Sequence, residues 1–186
     1  LSRPLSIHQV NDDGIEFLYH MVGEGTEIFA ELTPGDQIQL EGPFGNGFPA
    51  VEGKVALIGG GIGIAPLYYC AKELQGSDIY LGFSREAFRT EAFRPLAAEL
   101  TVDVGGLILD RVDFTSYDHI FVCGPHPMLK AAQLKGIAAE TSGKRPNVYL
   151  SLENRMACGI GACLVCSVSC RDGQRKACAD GPVFLA

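Results

Sequence analysis

This chain has no surplus of positive charge, no apolar run long enough to cross a membrane, and no paired C-x2-C pattern of the kind that holds zinc. Each absence removes a class of function. With 15 Lys and Arg against 22 Asp and Glu, the formal net charge is −7. That balance excludes the electrostatic footprint of a nucleic-acid binder and leaves no basic patch for a membrane surface. The longest uncharged apolar stretch, Val55 to Ala71, is broken by Gly59, Gly60, Gly61, Gly63 and Pro66. A membrane helix needs about 20 apolar residues, so this segment reads as strand, turn and helix. The opening Leu1-Ser2-Arg3-Pro4 is not a secretory pattern. The cytoplasm is therefore the expected compartment, and disulfides, which need oxidising surroundings, are disfavoured. A chain of 186 residues, 47% hydrophobic and 20% charged, allows one large domain or two small ones with a separate cofactor module.

What is present is concentrated near the C-terminus. Cys158, Cys163 and Cys166 are spaced C-x4-C-x2-C, and Cys178 follows in Ala177-Cys178-Ala179-Asp180-Gly181-Pro182. This is the plant-type ferredoxin spacing for a [2Fe-2S] cluster, with a fourth thiolate arriving from downstream. Two irons and two sulfides need four thiolates around a small core, so a short loop must wrap closely. Gly159 and Gly161 suit that loop, because glycine tolerates positive φ and lets backbone N–H groups approach the sulfurs. Structural zinc matches less well, since it favours two C-x2-C-type pairs separated by a linker. Cys170 is a rival fourth ligand, but Cys166-x3-Cys170 leaves little chain to reach a second iron. The Asp-Gly-Pro turn after Cys178 suits a returning loop. A cluster of this type passes one electron at a time.

Along the chain, residues 1–52 read as β structure, with strands at Ser6–Val10, Ile15–Val22 and Gln37–Leu40, and a short helical stretch around Ile28–Leu32. Gly42-Pro43-Phe44-Gly45-Asn46-Gly47-Phe48 closes this region as a glycine-rich loop. From Lys54 the pattern alternates. Strands are predicted at Val55–Ile58, Ile79–Phe83, Ile120–Cys123 and Val148–Leu152, and helices at Leu67–Leu74, Glu86–Leu100 (interrupted at Pro95) and Met128–Glu140. The expected fold class is α/β plus β: a partial antiparallel flavin-binding β-barrel (1–52), a Rossmann-like parallel α/β nucleotide domain (53–147), and a small C-terminal [2Fe-2S] cluster domain (148–186).

Strands alternating with helices imply a mainly parallel sheet with ligands at its carboxyl ends. Gly59-Gly60-Gly61-Ile62-Gly63 lies at such an end and opens into a helix. Without Cβ atoms the backbone can approach a phosphate, and the helix N-terminus offers free N–H groups. The run is not the G-x-G-x-x-G fingerprint, and a ligand-free strand-to-helix turn would look the same. Phe121-Val122-Cys123-Gly124-Pro125, with Met128 following, is a second loop of this kind in the same crevice. A lone Cys123 in a strand would more often be a small core residue.

Together these pieces resemble the ferredoxin reductase-like flavoprotein superfamily and, more closely, the electron transfer subunits of NAD-dependent (class 1B) dihydroorotate dehydrogenases. Arg3-Pro4-Leu5-Ser6 resembles the family's R-P-x-S strand, and Gly23-Glu24-Gly25-Thr26 its G-x-G-T turn. Residues 42–48 resemble its G-P-x-G-N-G-F loop. Gly60 to Pro66 and Cys123-Gly124-Pro125 resemble its nicotinamide-nucleotide segments. Glu153 to Cys166, with Cys178 to Phe184, is similar to its cluster domain nearly residue for residue.

The resemblance implies that Arg3, Pro4, Leu5 and Ser6 contact FAD, with Arg3 near its phosphates. It places Leu18, Tyr19 and His20 on the strand facing the flavin, and Gly25 and Thr26 at the pyrophosphate. Gly60, Gly61, Gly63, Cys123 and Gly124 would border NAD, and Cys158, Cys163, Cys166 and Cys178 would hold the cluster. His20 stands where the family has an arginine, and imidazole is a weaker phosphate partner than a guanidinium fork. The family also carries about fifty residues before the R-P-x-S strand, and a barrel without them leaves strand edges unpaired unless another chain completes it. The segment around Thr101 to Asp110 looks shortened, which suggests an abbreviated strand.

Nicotinamide exchanges hydride and the cluster single electrons, so a chain with both sites calls for a flavin between them. By resemblance, an FMN-containing partner subunit oxidises dihydroorotate, and electrons pass through the cluster and FAD to NAD+ in pyrimidine biosynthesis. The expected assembly is a heterotetramer of two subunits of each kind, without nucleic acid or membrane. Related layouts occur in electron-transfer subunits of hydrogenase, sulfide dehydrogenase and transhydrogenase complexes. A truncated docking or metal-binding remnant is the reading from a different class. NAD and NADP stay open: Ser84-Arg85 could hold a 2′-phosphate, and Glu86 would oppose it.

Overall fold

Val55-Ala56-Leu57-Ile58-Gly59-Gly60 is buried at every position. Only a strand covered on both faces can be apolar throughout, and that is a property of a central strand in a parallel sheet. A computed structural model of the chain describes residues 2–141 and 145–186.

Two short strands, β1 (Ile7–Asn11) and β2 (Gly14–Phe17), form an antiparallel hairpin. The Asn11 side chain closes its turn, its Oδ1 accepting from the N–H groups of Asp13 and Gly14 at 3.0 and 3.1 Å. Helix α1 (Glu24–Ala30) follows. Next come β3 (Val55–Gly60), α2 (Ile64–Glu73), β4 (Ser77–Phe83), α3 (Thr90–Phe93) and β5 (Ala97–Val104). The chain continues through β6 (His119–Cys123), α4 (His126–Thr141) and β7 (Asn147–Ser151). A second hairpin, β8 (Ser167–Cys170) and β9 (Gly173–Lys176), precedes the last strand, β10 (Val183–Leu185).

Six strands make one sheet in the order β10-β7-β6-β3-β4-β5. Five are mutually parallel, and β10 adds antiparallel to β7. Because side chains alternate across a strand, β3 sends Val55 and Leu57 to one face and Ala56 and Ile58 to the other. The first pair packs with Ile64, Leu67 and Ala71 of α2, and the second with Leu129 and Ala132 of α4. Fully burying a Leu or Ile side chain is worth roughly 1.5–3 kcal/mol, so these two layers dominate the stability of the sheet. At its amino edge, Tyr117 O–H donates to Asp78 at 2.8 Å, and the Tyr80 and Tyr117 hydroxyls lie 2.7 Å apart.

Four expectations are corrected here. The helix predicted over 86–100 is confined to α3, and Ala97–Val104 is a strand paired in parallel with β4. Pro95 ends helical continuity, and the exposed backbone of β4 supplies hydrogen-bond partners that sequence pattern does not reveal. The strand suspected of being abbreviated is eight residues long. Gln37–Leu40 forms no strand and is exposed throughout, having no neighbouring strand among the described residues; β2 likewise ends at Phe17 rather than Val22. β10 returns to the same sheet beside β7. Among the described residues, no helix is long and apolar enough to cross a membrane.

Candidate functional site

The order of the parallel strands reverses between β3 and β6: from β3 the chain builds outwards through β4 and β5, then returns to place β6 on the other side. A crevice outside the carboxyl ends at such a switch point is where open α/β sheets take ligands. Both glycine loops lie there. A Cβ at Gly63 would stand 2.3 Å from the Cys123 carbonyl oxygen and 2.7 Å from Gly124 N. One at Gly60 would stand 2.5 Å from Met128 Sδ. These glycines therefore let the two loops close on each other. Gly61 has φ +55 and faces open space. A surface cleft of about 530 Å³ lies at the opposite edge, lined by Val51, Lys54, Lys72 and Asp78. It is remote from these loops, and none of their residues lines it.

Cys123 is paired with Gly59 on one side and Ser151 on the other. Burial pushes its thiol up to about 12, opposed by a hydrogen bond with the Ser151 side chain. It is a neutral thiol at physiological pH. Ser151 has no motif of its own, and only the register of β6 and β7 brings it to the crevice.

β7 runs directly into the cysteine loop. Gly159, Gly161 and Leu164 have φ values of +69, +79 and +61, so the loop curls back on itself. That curl aims N–H groups at sulfur: Cys163 N donates to Cys158 Sγ at 3.4 Å, and Gly161 N to Cys178 Sγ at 3.2 Å. The half-buried Cys158 thiol is pulled down to about 6, first by the Cys163 N–H and then by that of Ile160. Cys166 and Cys178 are buried together, their sulfurs 3.2 Å apart, and burial raises the Cys178 thiol. Among the described residues, no three His, Cys, Asp or Glu side chains converge as a ready metal site. The sulfurs draw in as one close pair with Cys158 and Cys163 on the facing loop. N–H groups aimed at sulfur and loop positions that favour glycine are what a cluster with anionic ligands requires, so the donor set fits the group.

The β8–β9 hairpin separates the rival cysteines. Cys166 and Cys178 sit at its open end, where Ala177 N donates to Cys166 O at 3.0 Å. Cys170 is at its turn, opposite Gly173. Four residues of strand put Cys170 roughly 13 Å further along.

At the N-terminal end, Arg3 lies over Gly25: a Cβ there would stand 2.6 Å from its Nε. The R-P-x-S segment and the G-x-G-T turn thus meet. Leu5, Leu18 and Tyr19 are half-buried, while Pro4, Ser6 and His20 are exposed. Thr26 is buried, and its hydroxyl shapes the turn by accepting from Val22 N (2.9 Å) and Gly23 N (3.2 Å) and donating to Gly23 O (2.8 Å). Tyr19 stacks edge-on to Phe29, and His20 faces Phe88. A contact that sequence reading missed joins this region to the sheet. His8, buried in β1, donates from Nδ1 to the Ala65 carbonyl at 2.8 Å and stacks on Tyr68.

A parallel sheet with glycine loops at its switch point, leading straight into a thiolate loop, defines the class: an NAD-linked iron–sulfur oxidoreductase subunit. Residues 153–186 match the family model described as the iron-sulfur cluster binding domain of dihydroorotate dehydrogenase B. The chain is 41% identical over 196 residues to the dihydroorotate dehydrogenase B (NAD(+)), electron transfer subunit of Clostridium acetobutylicum, covering 100% of this chain and 78% of that one. It is 40% identical to the same subunit of Caldanaerobacter subterraneus subsp. tengcongensis, covering 100% and 79%. Among solved structures, one titled for flavin-based electron bifurcation by NADH-dependent reduced ferredoxin-NADP oxidoreductase superposes with a TM-score of 0.84. It shares 27% identity and covers 98% of this chain and 72% of its own. The chain belongs to the family of dihydroorotate dehydrogenase B (NAD(+)) electron transfer subunits.

Proposed function

We propose that this chain carries electrons between a dihydroorotate-oxidising FMN subunit and NAD+, through a [2Fe-2S] cluster and FAD, in pyrimidine biosynthesis. One observation carries the reading. Cys123, at the nucleotide crevice, is paired with Ser151, and β7 leads from there into the cysteine loop within seven residues. One strand of the sheet thus joins the nucleotide crevice to the cysteine loop.

In this reading Cys158, Cys163, Cys166 and Cys178 hold the cluster, and the N–H groups of Cys163 and Gly161 stabilise the thiolates. Gly60, Gly61, Gly63, Cys123 and Gly124 border NAD, with the neutral Cys123 thiol giving the nicotinamide a small uncharged wall. Arg3, Pro4, Leu5, Ser6, Leu18, Tyr19, His20, Gly25 and Thr26 border FAD. When bound, FAD exchanges electron pairs with nicotinamide and single electrons with the cluster. The chain's own residues do no acid–base work on the pyrimidine; they bind, orient and exclude water.

We read the sheet as Rossmann-like, residues 1–52 as part of a flavin-binding barrel, and the segment after β7 as the cluster unit. The assembly proposed is two of these chains with two FMN subunits. The cytoplasm, where thiolate ligands stay reduced, suits it.

The test is anaerobic titration of the reconstituted chain with NADH. Flavin bands and then the broad cluster absorption should bleach, and NAD+ reduction by dihydroorotate should appear only with the FMN subunit present. No bleaching by NADH would sink the reading.

A further inference from the structure

The Gly42–Phe48 loop touches both cysteine-bearing segments and the nucleotide sheet. Phe44 packs on Gly159, where a Cβ would stand 2.9 Å from its Cδ2 and Cε2. Gly159 adjoins Cys158. Gly45, at φ +73, presses on the other end of the ligand set: a Cβ there would stand 2.2 Å from the Gly181 carbonyl oxygen. Asn46 completes that contact. Its backbone N–H donates to Gly181 O at 2.5 Å, and its carbonyl accepts from Val183 N at 3.3 Å. Its side-chain amide donates to Ala179 O at 3.0 Å and Asp180 O at 3.3 Å. Those carbonyls directly follow Cys178. Finally, Phe48 stacks on Phe121 of β6, with ring centroids 4.7 Å apart and planes at 12°. Phe121 lies two residues before Cys123.

We propose that loop 42–48 is a clamp that positions the cluster: Phe44 and Asn46 grip the segments carrying Cys158 and Cys178, while Phe48 fixes both to the nucleotide sheet. The inference rests on the cluster reading given above.

Physical chemistry favours this role over a phosphate-binding one. The Asn46 amide is directed at backbone carbonyls, leaving it as a donor to the cluster segment rather than to an anion. The carbonyls of Ala179 and Asp180 belong to a tight turn between Cys178 and β10. A side chain donating to both at once limits how that turn can tilt Cys178. Phe44 does the same for Cys158 by filling the space beside Gly159. Ligand thiolates held on two separate segments hold a cluster only as well as those segments hold each other, and such outer contacts tune the bound metal.

The test uses the full chain loaded with iron, sulfide and FAD. N46A and F44A should release iron to a chelator about tenfold faster than the unsubstituted protein, the lower end of what loss of an outer contact costs. The visible circular dichroism of the cluster should change shape in both. N46D should be worse than N46A, because a carboxylate faces the two carbonyls without a donor. F44L should recover part of the F44A loss. Reduction of FAD by NADH should be unchanged in all four, and the circular dichroism of the backbone reports folding. Wild-type iron release and an unchanged cluster spectrum in N46A and F44A would overturn the clamp alone. If the unsubstituted chain takes up no cluster, the cluster reading falls and the clamp falls with it.

Discussion

The sulfurs of Cys166 and Cys178 lie 3.2 Å apart across the open end of the β8–β9 hairpin, although twelve residues separate them in the chain. Cys170, only four residues from Cys166, is carried to the far end of the same hairpin. Sequence proximity and spatial proximity therefore rank the two candidate fourth ligands in opposite orders.

From this geometry, C178S should abolish the visible and paramagnetic signals of a [2Fe-2S] cluster, whereas C170S should retain them. Anaerobic reconstitution followed by iron and sulfide analysis decides the point. Loss of the cluster in C170S with retention in C178S would reverse the assignment.

Gly63 and Gly61 should respond differently to alanine. At Gly63 a methyl group collides with the Cys123 carbonyl, so G63A should cost about 1–3 kcal/mol as an overpacked site. It should also raise KM for NADH. At Gly61 the space is open and only the positive φ is strained, so G61A should cost about 1–2 kcal/mol. Denaturant midpoints and NADH saturation curves of both variants test the ranking.

The His8 contact with Ala65 and Tyr68 ties the hairpin to the helix that follows the glycine loop. H8A should lose about 1–3 kcal/mol, combining a buried hydrogen bond with lost packing. H8N keeps a donor near the position of Nδ1 and should recover part of that loss. H8F keeps the stack without the donor, so thermal unfolding of the three variants separates the two contributions.

Burial pushes Cys70 and Cys123 each from an ordinary 9.0 up to about 12. The folded chain thus keeps both thiols protonated where the unfolded chain ionises them. Their stabilising effect is complete below about 9 and is lost as pH rises from there towards about 12. C70A removes one titrating group, so its melting temperature should fall less steeply between pH 9 and 11 than that of the unsubstituted protein. Equal slopes would refute this.

Much of the molecule was legible from local pattern. The all-apolar Val55–Ile58 run, the glycines after it and the C-x4-C-x2-C spacing depend on steric and coordination rules acting over a few residues. These marked the central strand, the crevice loops and the cysteine loop. The misreadings share one cause. Ala97–Val104 is a strand because β4 offers it a partner, and Gln37–Leu40 is not one because it has no strand beside it. Neither fact is written in the segment itself.

The sequence by itself determined the chemistry available: thiolates at cluster spacing and glycines where a backbone must come close. Only the tertiary structure decided which groups act together. Ser151 reaches Cys123 through strand register, and Cys178 rather than Cys170 reaches Cys166 through the direction of a hairpin. Asn46 reaches the turn behind Cys178 across more than 130 residues. Ligand type is a property of single residues, whereas ligand distance is set by hydrogen bonds and packing between segments far apart in the chain.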